Sequence, residues 1–193
     1  IFVTMATRVF VKNGFKESPD TAVHILLDSS GSMTDSGLMF ANAVCYAVGK
    51  ALQGISGVNL GITAFPGANR AKRGATVAPV LRHGEKLTAR FPEIAYGMTP
   101  MAESLWWVMQ QMCLLRENRK IILIITDGEP DSIPAAQEAF KQAQKKGFEC
   151  YGLGIMCSSI ATLLPHTSRV IETLLQLAPA LFKLLEGALR RNA

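Results

Sequence analysis

The sequence predicts an α/β fold in which a doubly wound, mostly parallel sheet carries helices on both faces. Short apolar runs typical of buried strands alternate along the chain with segments whose apolar residues recur every three or four positions. One pair of these apolar runs is joined by a connection too short to hold a helix, which predicts a single antiparallel strand.

An N-terminal extension of residues 1–19 precedes the main domain, which we assign to residues 20–193. The Asn13-Gly14 step lies within alternating apolar and polar residues, and a step of this kind favours a tight hairpin turn. The sequence therefore predicts a small β-hairpin ahead of the main sheet.

Three strands and one helix are predicted in the first half of the domain. Residues 23–28 form an apolar run typical of a buried parallel strand. The segment after Asp35 carries apolar side chains on one helical face, namely Leu38, Ala41, Cys45, Val48 and Leu52. Residues 58–65 and 76–81 are the next two strands, and their short connection predicts that they pair antiparallel.

The second half of the domain alternates strand and helix. Residues 87–95 have no clear period and are assigned a helical turn and a loop. A helix that starts at Pro100 is followed by the apolar strand 121–126, a helix over 134–146 and a strand over 148–155. After a further loop, the final helix places its apolar residues on one face: Leu174, Leu177, Leu181, Leu184 and Ala188.

Composition and charge exclude several classes of protein. Hydrophobic residues make up 49% of the chain and charged residues 18%, which excludes a disordered protein. The longest apolar runs, such as residues 121–125, are far too short to span a bilayer, and no signal peptide is visible, so no membrane association is expected. The net charge of +5 is scattered over loops and helix ends without a nucleic-acid-binding motif, so nucleic acid is not expected as a partner.

The four cysteines predict neither a disulfide framework nor a zinc site. They form no CxxC pair and have no zinc-like spacing: Cys45, Cys113, Cys150 and Cys157. Cys45 and Cys113 fall at core-facing helix positions and Cys150 falls in a strand. This placement predicts buried thiols in a reducing compartment, and hence a cytoplasmic protein.

Side chains that bear oxygen cluster at the ends of two predicted strands and ahead of one helix. Asp28, Ser30 and Ser32 follow the first strand, Asp127 follows the strand 121–126, and Thr99 precedes a helix as a natural N-cap. Each feature alone is typical of a turn or a cap. Because parallel strands end at one edge of a sheet, the five residues are expected to converge there. Oxygen donors of this kind suit Mg²⁺ or Mn²⁺ better than zinc, and they leave a position open for a ligand carboxylate.

The five residues resemble the metal-ion-dependent adhesion site (MIDAS) of the von Willebrand factor A domain family. The family pattern is DxSxS, a distant Thr and a distant Asp; the chain has Asp28, Ser30 and Ser32, then Thr99 in Gly-Met-Thr-Pro, then Asp127 in Thr-Asp-Gly. The resemblance implies a Rossmann-like fold. It also implies that Ser30, Ser32 and Thr99 contact Mg²⁺ directly, while Asp28 and Asp127 act mostly through bound water.

Two stretches of the sequence resemble one subgroup of this family. Thr-Pro-Met-Ala-Glu-Ser-Leu over 99–105 and Ile-Thr-Asp-Gly-Glu-Pro over 125–130 look like intracellular bacterial members of the family. They are most similar to the C-terminal A domain of cobaltochelatase CobT-type bacterial or phage proteins, which typically work with a MoxR- or CobS-type AAA+ ATPase. The resemblance implies an ATPase of that type as a partner, although no acidic linker or chelatase-specific segment is present in this sequence.

Three functions are open at this point. The first is a metal-dependent protein-binding module whose cation is shared with an Asp or Glu of a protein partner. The second is an A-domain subunit of a cobaltochelatase-type metal-insertion complex. The third is a metal-dependent hydrolase; it lacks a general base beyond the site carboxylates, and Ser30 has no recognisable His-Asp arrangement. The chain is therefore not expected to be an enzyme in its own right.

The remaining polar and aromatic candidates are assigned structural roles. His24 lies within a core strand and is expected to be packed. Trp106 and Trp107 are adjacent and cannot share one helix face, so one should point inward and the other outward. Glu129 and Asp131 lie near the proposed metal and could tune its charge, but solvated turn residues are the favoured interpretation.

Overall fold

The computed structural model describes residues 20–67, 76–88 and 90–190, which form a six-stranded sheet covered by helices. The strands are β1 (Thr21–Asp28), β2 (Val58–Phe65), β3 (Ala78–Leu81), β4 (Arg119–Thr126), β5 (Phe148–Ile155) and β6 (Ser168–Ile171). Their order is β3-β2-β1-β4-β5-β6, and only β3 runs antiparallel to its neighbour. The hairpin predicted for residues 1–19 lies outside the described residues.

Strands β1 and β4 lie at the centre of the sheet because they are apolar on both faces. Every residue of β1 is buried, as are residues 121–126 of β4. The parallel register pairs Leu27 with Ile125 and Asp28 with Phe65. The carboxyl ends of β1, β2 and β4 therefore lie side by side at one edge of the sheet.

Five helices cover the two faces, as the alternation of elements predicts. They are α1 (Thr34–Gln53), α2 (Met101–Cys113), α3 (Ile133–Lys145), α4 (Ser159–Leu163) and α5 (Leu177–Arg190). Helices α1 and α5 pack on the face that carries Val23 and Ile25, whereas α2, α3 and α4 pack on the face that carries Leu26. The doubly wound architecture is confirmed.

Several local assignments are wrong or incomplete. The sequence did not predict the short α4 or the edge strand β6, in which Arg169 and Val170 are exposed. Residues 87–88 and 90–95 contain no helical turn. Cys113 is exposed rather than core-facing, because it follows the buried Met112 by one residue and so lies about 100° around the helix from it.

Other expectations agree with the structure. His24 is buried, and so are Cys45 and Cys150, whose burial raises the pKa of each thiol to about 12. Trp107 packs partly against the core while Trp106 is exposed. Among the described residues, no helix has the length and apolar character needed to cross a membrane.

Candidate metal site

Asp28 ends β1 in a buried position with both carboxylate oxygens engaged. The backbone N–H of Ser30 donates to its Oδ1 at 2.8 Å, and the Thr126 hydroxyl at the end of β4 donates to its Oδ2 at 2.5 Å. Because Thr126 lies on the neighbouring strand, the sheet register itself orients this carboxylate. Asp28 is thus fixed by its own turn and by β4.

Ser30, Ser32 and Asp127 form a continuous hydrogen-bonded row beside Asp28. The two serine hydroxyl oxygens are 3.0 Å apart, and the Ser32 hydroxyl donates to Asp127 Oδ1 at 2.6 Å. Ser30 is buried and Ser32 is exposed. The row therefore leads from the sheet interior to the surface, as an accessible ion site requires.

Thr99 reaches the same edge on a loop that is tied to its neighbours by backbone hydrogen bonds. The N–H of Gly31 donates to the carbonyl of Gly97 at 3.1 Å, and the N–H of Tyr96 donates to the carbonyl of Ser29 at 2.9 Å. The predicted N-cap role of Thr99 is wrong: α2 begins at Met101 and its start has no side-chain cap. The side chain of Thr99 is directed to the site instead.

Gly128 marks the point where the three loops meet. A Cβ built on this glycine would lie 3.2 Å from Ser32 Oγ, 3.4 Å from Thr99 Oγ1 and 4.0 Å from Asp28 Oδ2. Oxygens from the β1 loop and from the Thr99 loop thus surround one small space. The structure brings all five predicted residues to this cradle, by hydrogen bonds for four of them and by this proximity for Thr99.

The two carboxylates of the cradle share an environment that disfavours negative charge. Burial raises the pKa of Asp28 from 3.8 to about 6, despite the lowering effect of the bonds from Thr126 and Ser30, and the nearby Asp127 adds to the rise. Burial also raises the pKa of Asp127, while the bond from Ser32 lowers it. A cation in the cradle would supply the missing positive charge.

The donor chemistry fits a hard divalent cation. The cradle offers three hydroxyls and two carboxylates and no nitrogen or sulfur donor, which matches the preferences of Mg²⁺ and Mn²⁺. Within the part of the chain that the structure describes, no three His, Cys, Asp or Glu side chains form a group able to hold a metal. An ion here would therefore depend on the hydroxyls, and it would keep coordination positions free for a ligand.

Two residues of the site make contacts that the sequence did not predict. Thr126 anchors Asp28, and Asp131 accepts a hydrogen bond from the N–H of Thr99 at 2.7 Å while its own N–H donates to the Thr99 carbonyl at 3.0 Å. The expectation of a merely solvated turn is wrong for Asp131, although Glu129 is exposed as expected. Thr126 could have been found from its place beside Asp127 at a strand end. The pairing of Asp131 with Thr99 has no local sequence signal.

The model of a known protein family matches most of the chain. The model of the von Willebrand factor type A domain matches residues 22–179, from the second residue of β1 into the start of α5. The matched range includes all five predicted site residues. A search of the curated proteins gives no match.

Solved structures share the fold at low sequence identity. Proximal thread matrix protein 1 from the mussel byssus, described with a zinc-occupied MIDAS motif, has a TM-score of 0.72 and 12% identity, over 89% of this chain and 46% of that one. Manganese-loaded TRAP protein of Plasmodium vivax has a TM-score of 0.62 and 12% identity, over 87% and 74%. The domain of the pilus tip protein Mfa5 from Porphyromonas gingivalis has a TM-score of 0.66 and 10% identity, over 90% and 96%. The chain thus spans about half of the byssus protein.

Proposed function

Because this chain belongs to the von Willebrand factor type A domain family, we propose that it is a metal-dependent protein-binding module. Ser30, Ser32 and Thr99 would hold a divalent cation, Mg²⁺ or Mn²⁺, directly. Asp28 and Asp127 would act on it mostly through bound water. The observation that carries the proposal is the convergence of oxygens from two separate loops on the space next to Gly128. An Asp or Glu side chain of a protein partner would complete the coordination.

The site residues divide into two carboxylates that take part in hydrogen bonds and three uncharged hydroxyl ligands. Asp28 is held by Thr126 and by the Ser30 N–H, and Asp127 holds the Ser32 hydroxyl. A divalent cation shared by two chains concentrates electrostatic attraction at one point and gives it a direction. Because the three direct ligands are uncharged hydroxyls, much of the cation's charge stays available to a partner carboxylate.

The choice of metal rests on donor type and on two similar structures. Zinc occupies the MIDAS motif of the byssus protein, and the TRAP protein is manganese-loaded, so this fold carries divalent ions elsewhere. In this chain the donors are oxygens alone, which favours Mg²⁺ or Mn²⁺ over zinc.

The partner that we propose is an AAA+ ATPase of the MoxR or CobS type, in the cytoplasm. Support comes from the CobT-like stretches at 99–105 and 125–130, which contain Thr99 and Asp127 and so surround the cradle. The alternative, an A-domain subunit of a cobaltochelatase-type complex, draws on the same stretches. Chelatase activity of the assembled complex would favour that alternative; an ATPase complex without it would favour the binding module.

Metal binding is tested by calorimetric titration of the purified chain with Mg²⁺ and with Mn²⁺. Thr99→Ala should weaken binding at least tenfold, because it removes one direct ligand. The matched control is Thr162→Ala, the same change at an exposed position of α4, which should bind as the unaltered chain does. Equal affinity of the Thr99→Ala variant and the unaltered chain would overturn the site.

Partner binding is tested by capture of a purified CobS-like ATPase on the immobilised chain. Capture should occur in Mg²⁺, fail in EDTA and fail with Thr99→Ala. Capture that persists unchanged in EDTA would show that the metal does not mediate the contact. A chain that binds metal but captures no ATPase would overturn the proposed partner and leave the metal site standing.

A further inference from the structure

A groove lies between α1 and the segment before Thr99, next to the cradle. Its volume is about 720 Å³, and its walls include Asp35, Met39, Asn42, Tyr46, Phe91 and Glu93. Met39 is 69% exposed although it is a large apolar side chain, and Tyr46 and Phe91 are half-buried. The floor of the groove is thus apolar surface that residues 20–67, 76–88 and 90–190 leave uncovered.

Two hydrogen bonds hold the walls of the groove in place. The Asn42 amide donates to the carbonyl of Pro92 at 2.6 Å, and the N–H of Ala95 donates to Asp35 Oδ1 at 2.9 Å. Residues 92–95 therefore run antiparallel to the first two turns of α1, and Glu93 lies between the two hydrogen-bonded residues Pro92 and Ala95. The groove is formed before any partner arrives.

One end of the groove lies close to the proposed metal site. The loop that forms one wall also bonds to the DxSxS turn through Tyr96 and Gly97, and Asp35 follows Ser32 by only three residues. Three residues limit the separation of those two Cα atoms to about 11 Å. From Asp35 to Tyr46 the helical rise adds about 16 Å. A segment bound at the cradle can therefore extend along the groove.

The charges along the groove differ between its two ends. Asp35 and Glu93, the two charged residues of its lining, are both carboxylates: Asp35 lies at the end near the cradle, and Glu93 follows Pro92, whose carbonyl accepts from Asn42 further along α1. At the far end the Lys50 ammonium lies 5.3 Å from the centre of the Tyr46 ring and donates to the carbonyl of Leu87 at 3.1 Å. A bound cationic group is therefore favoured beside Asp35 and Glu93 and disfavoured beside Tyr46.

We propose that the groove binds the protein partner's segment next to its metal-bound carboxylate, and that this segment carries a Lys or Arg followed by an apolar side chain. The Lys or Arg places its charged head between Asp35 and Glu93, and the apolar side chain packs on Met39, Tyr46 and Phe91. At about 3.3 Å per residue, an extended segment of about eight residues spans cradle and groove. This inference rests on the proposed function, since it extends the same contact.

The test is a selection of displayed random dodecapeptides on the whole chain in Mg²⁺ at low salt, with EDTA used to release the bound peptides. Released peptides should be enriched in Lys or Arg two to four residues from an Asp or Glu. The enrichment should disappear when selection is repeated on the double variant Asp35→Asn/Glu93→Gln. The best peptide should bind that variant about five- to tenfold more weakly, as expected for the loss of two exposed ion pairs.

The control is Glu138→Gln/Glu172→Gln, which removes the same charge at exposed positions elsewhere and should leave binding unchanged. EDTA-released peptides without a basic residue, or with equal affinity for the groove variant, would overturn the groove and leave the metal contact intact. Basic peptides that stay bound in EDTA, are recovered by a second elution in acid and depend on Asp35 and Glu93 would uphold the groove and overturn the metal contact. A selection that enriches no sequence would overturn both.

Discussion

At the scale of single residues, Asp131 shows how a side chain outside the metal motif can position a proposed ligand. Its carboxylate accepts from the N–H of Thr99 and its N–H donates to the carbonyl of Thr99, so it fixes both backbone groups of that residue. Residues that orient ligands in this way typically change metal affinity 10- to 100-fold when they are removed.

We expect Asp131→Ala to lower the affinity for Mn²⁺ about tenfold, because the Thr99 backbone loses its anchor. Asp131→Asn should keep most of the affinity, since its amide oxygen can still accept from the Thr99 N–H. Calorimetric titration of both variants checks this, with Glu129→Ala, an exposed neighbour in the same loop, as the control. An equal loss in the Asn and Ala variants would show that the charge of Asp131 matters, and not its hydrogen bond.

At the scale of elements, two histidines join β1, β2 and the turn after β3 inside the sheet. His83 Nδ1 lies 3.2 Å from the Asn59 carbonyl, which can only accept, so this nitrogen carries the proton. Burial lowers the pKa of both rings and so favours their neutral forms. In those forms His83 Nε2 accepts from His24 Nδ1 at 3.0 Å, and His24 Nε2 accepts from the Thr63 hydroxyl at 2.9 Å. Gly61 is required beside them, because a Cβ there would lie within 2.6 Å of both rings.

This pair should make stability depend on pH. Burial lowers the pKa of His24 and of His83, with the neighbouring histidine charge also lowering that of His24, and the Asn59 carbonyl and Glu117 partly opposing the fall for His83. The unfolded chain binds these protons below about pH 6.5, whereas the folded chain binds them only at lower pH, so the stability is complete above about pH 6.5 and is lost as the pH falls. Each such histidine contributes up to about 1.4 kcal/mol per pH unit.

The comparison of the unaltered chain with His83→Gln isolates this effect from that of the carboxylates. The difference in their free energies of unfolding should shrink by about 1 kcal/mol between pH 7.5 and pH 5.5, measured by urea denaturation. His166→Gln, at an exposed position, is the control, and its free energy of unfolding should change with pH as that of the unaltered chain does. If the free energy of unfolding of His83→Gln also changed in that way, the pair would not be the source of the pH dependence.

Elements buried on both faces were predictable from the sequence, whereas short elements at the edge of the sheet were not. Strands β1 and β4 are continuous apolar runs, so their pattern cannot fit an exposed element, and the residues that follow them had to meet at one edge. Strand β6 has only four residues and packs at an edge, so tertiary pairing and not local pattern creates it. Thr99 was misassigned as a cap because a residue before a helix is locally identical whether it caps the helix or faces a site.

At the scale of the whole molecule, the apolar core is complete without the proposed ion. Each face of the sheet has its own apolar cluster, and neither cluster includes a side chain of the cradle. The cradle lies at the sheet edge, where backbone hydrogen bonds tie its loops to one another. We therefore expect the fold to form without the ion.

Removal of metal should consequently lower the melting temperature without unfolding the chain. An ion at one hundred times its dissociation constant adds about 2.7 kcal/mol to stability, which for a domain of this size corresponds to about 5–10 °C. We expect thermal scans by circular dichroism to show that shift between excess Mg²⁺ and EDTA, with the same cooperative transition and native spectrum in both. Thr99→Ala, which should bind the ion at least tenfold more weakly, should show at most about half of that shift in the same Mg²⁺ concentration. Loss of the native near-ultraviolet spectrum in EDTA at 25 °C would instead make the ion a structural part of the core, since the loops at the sheet edge would then depend on it.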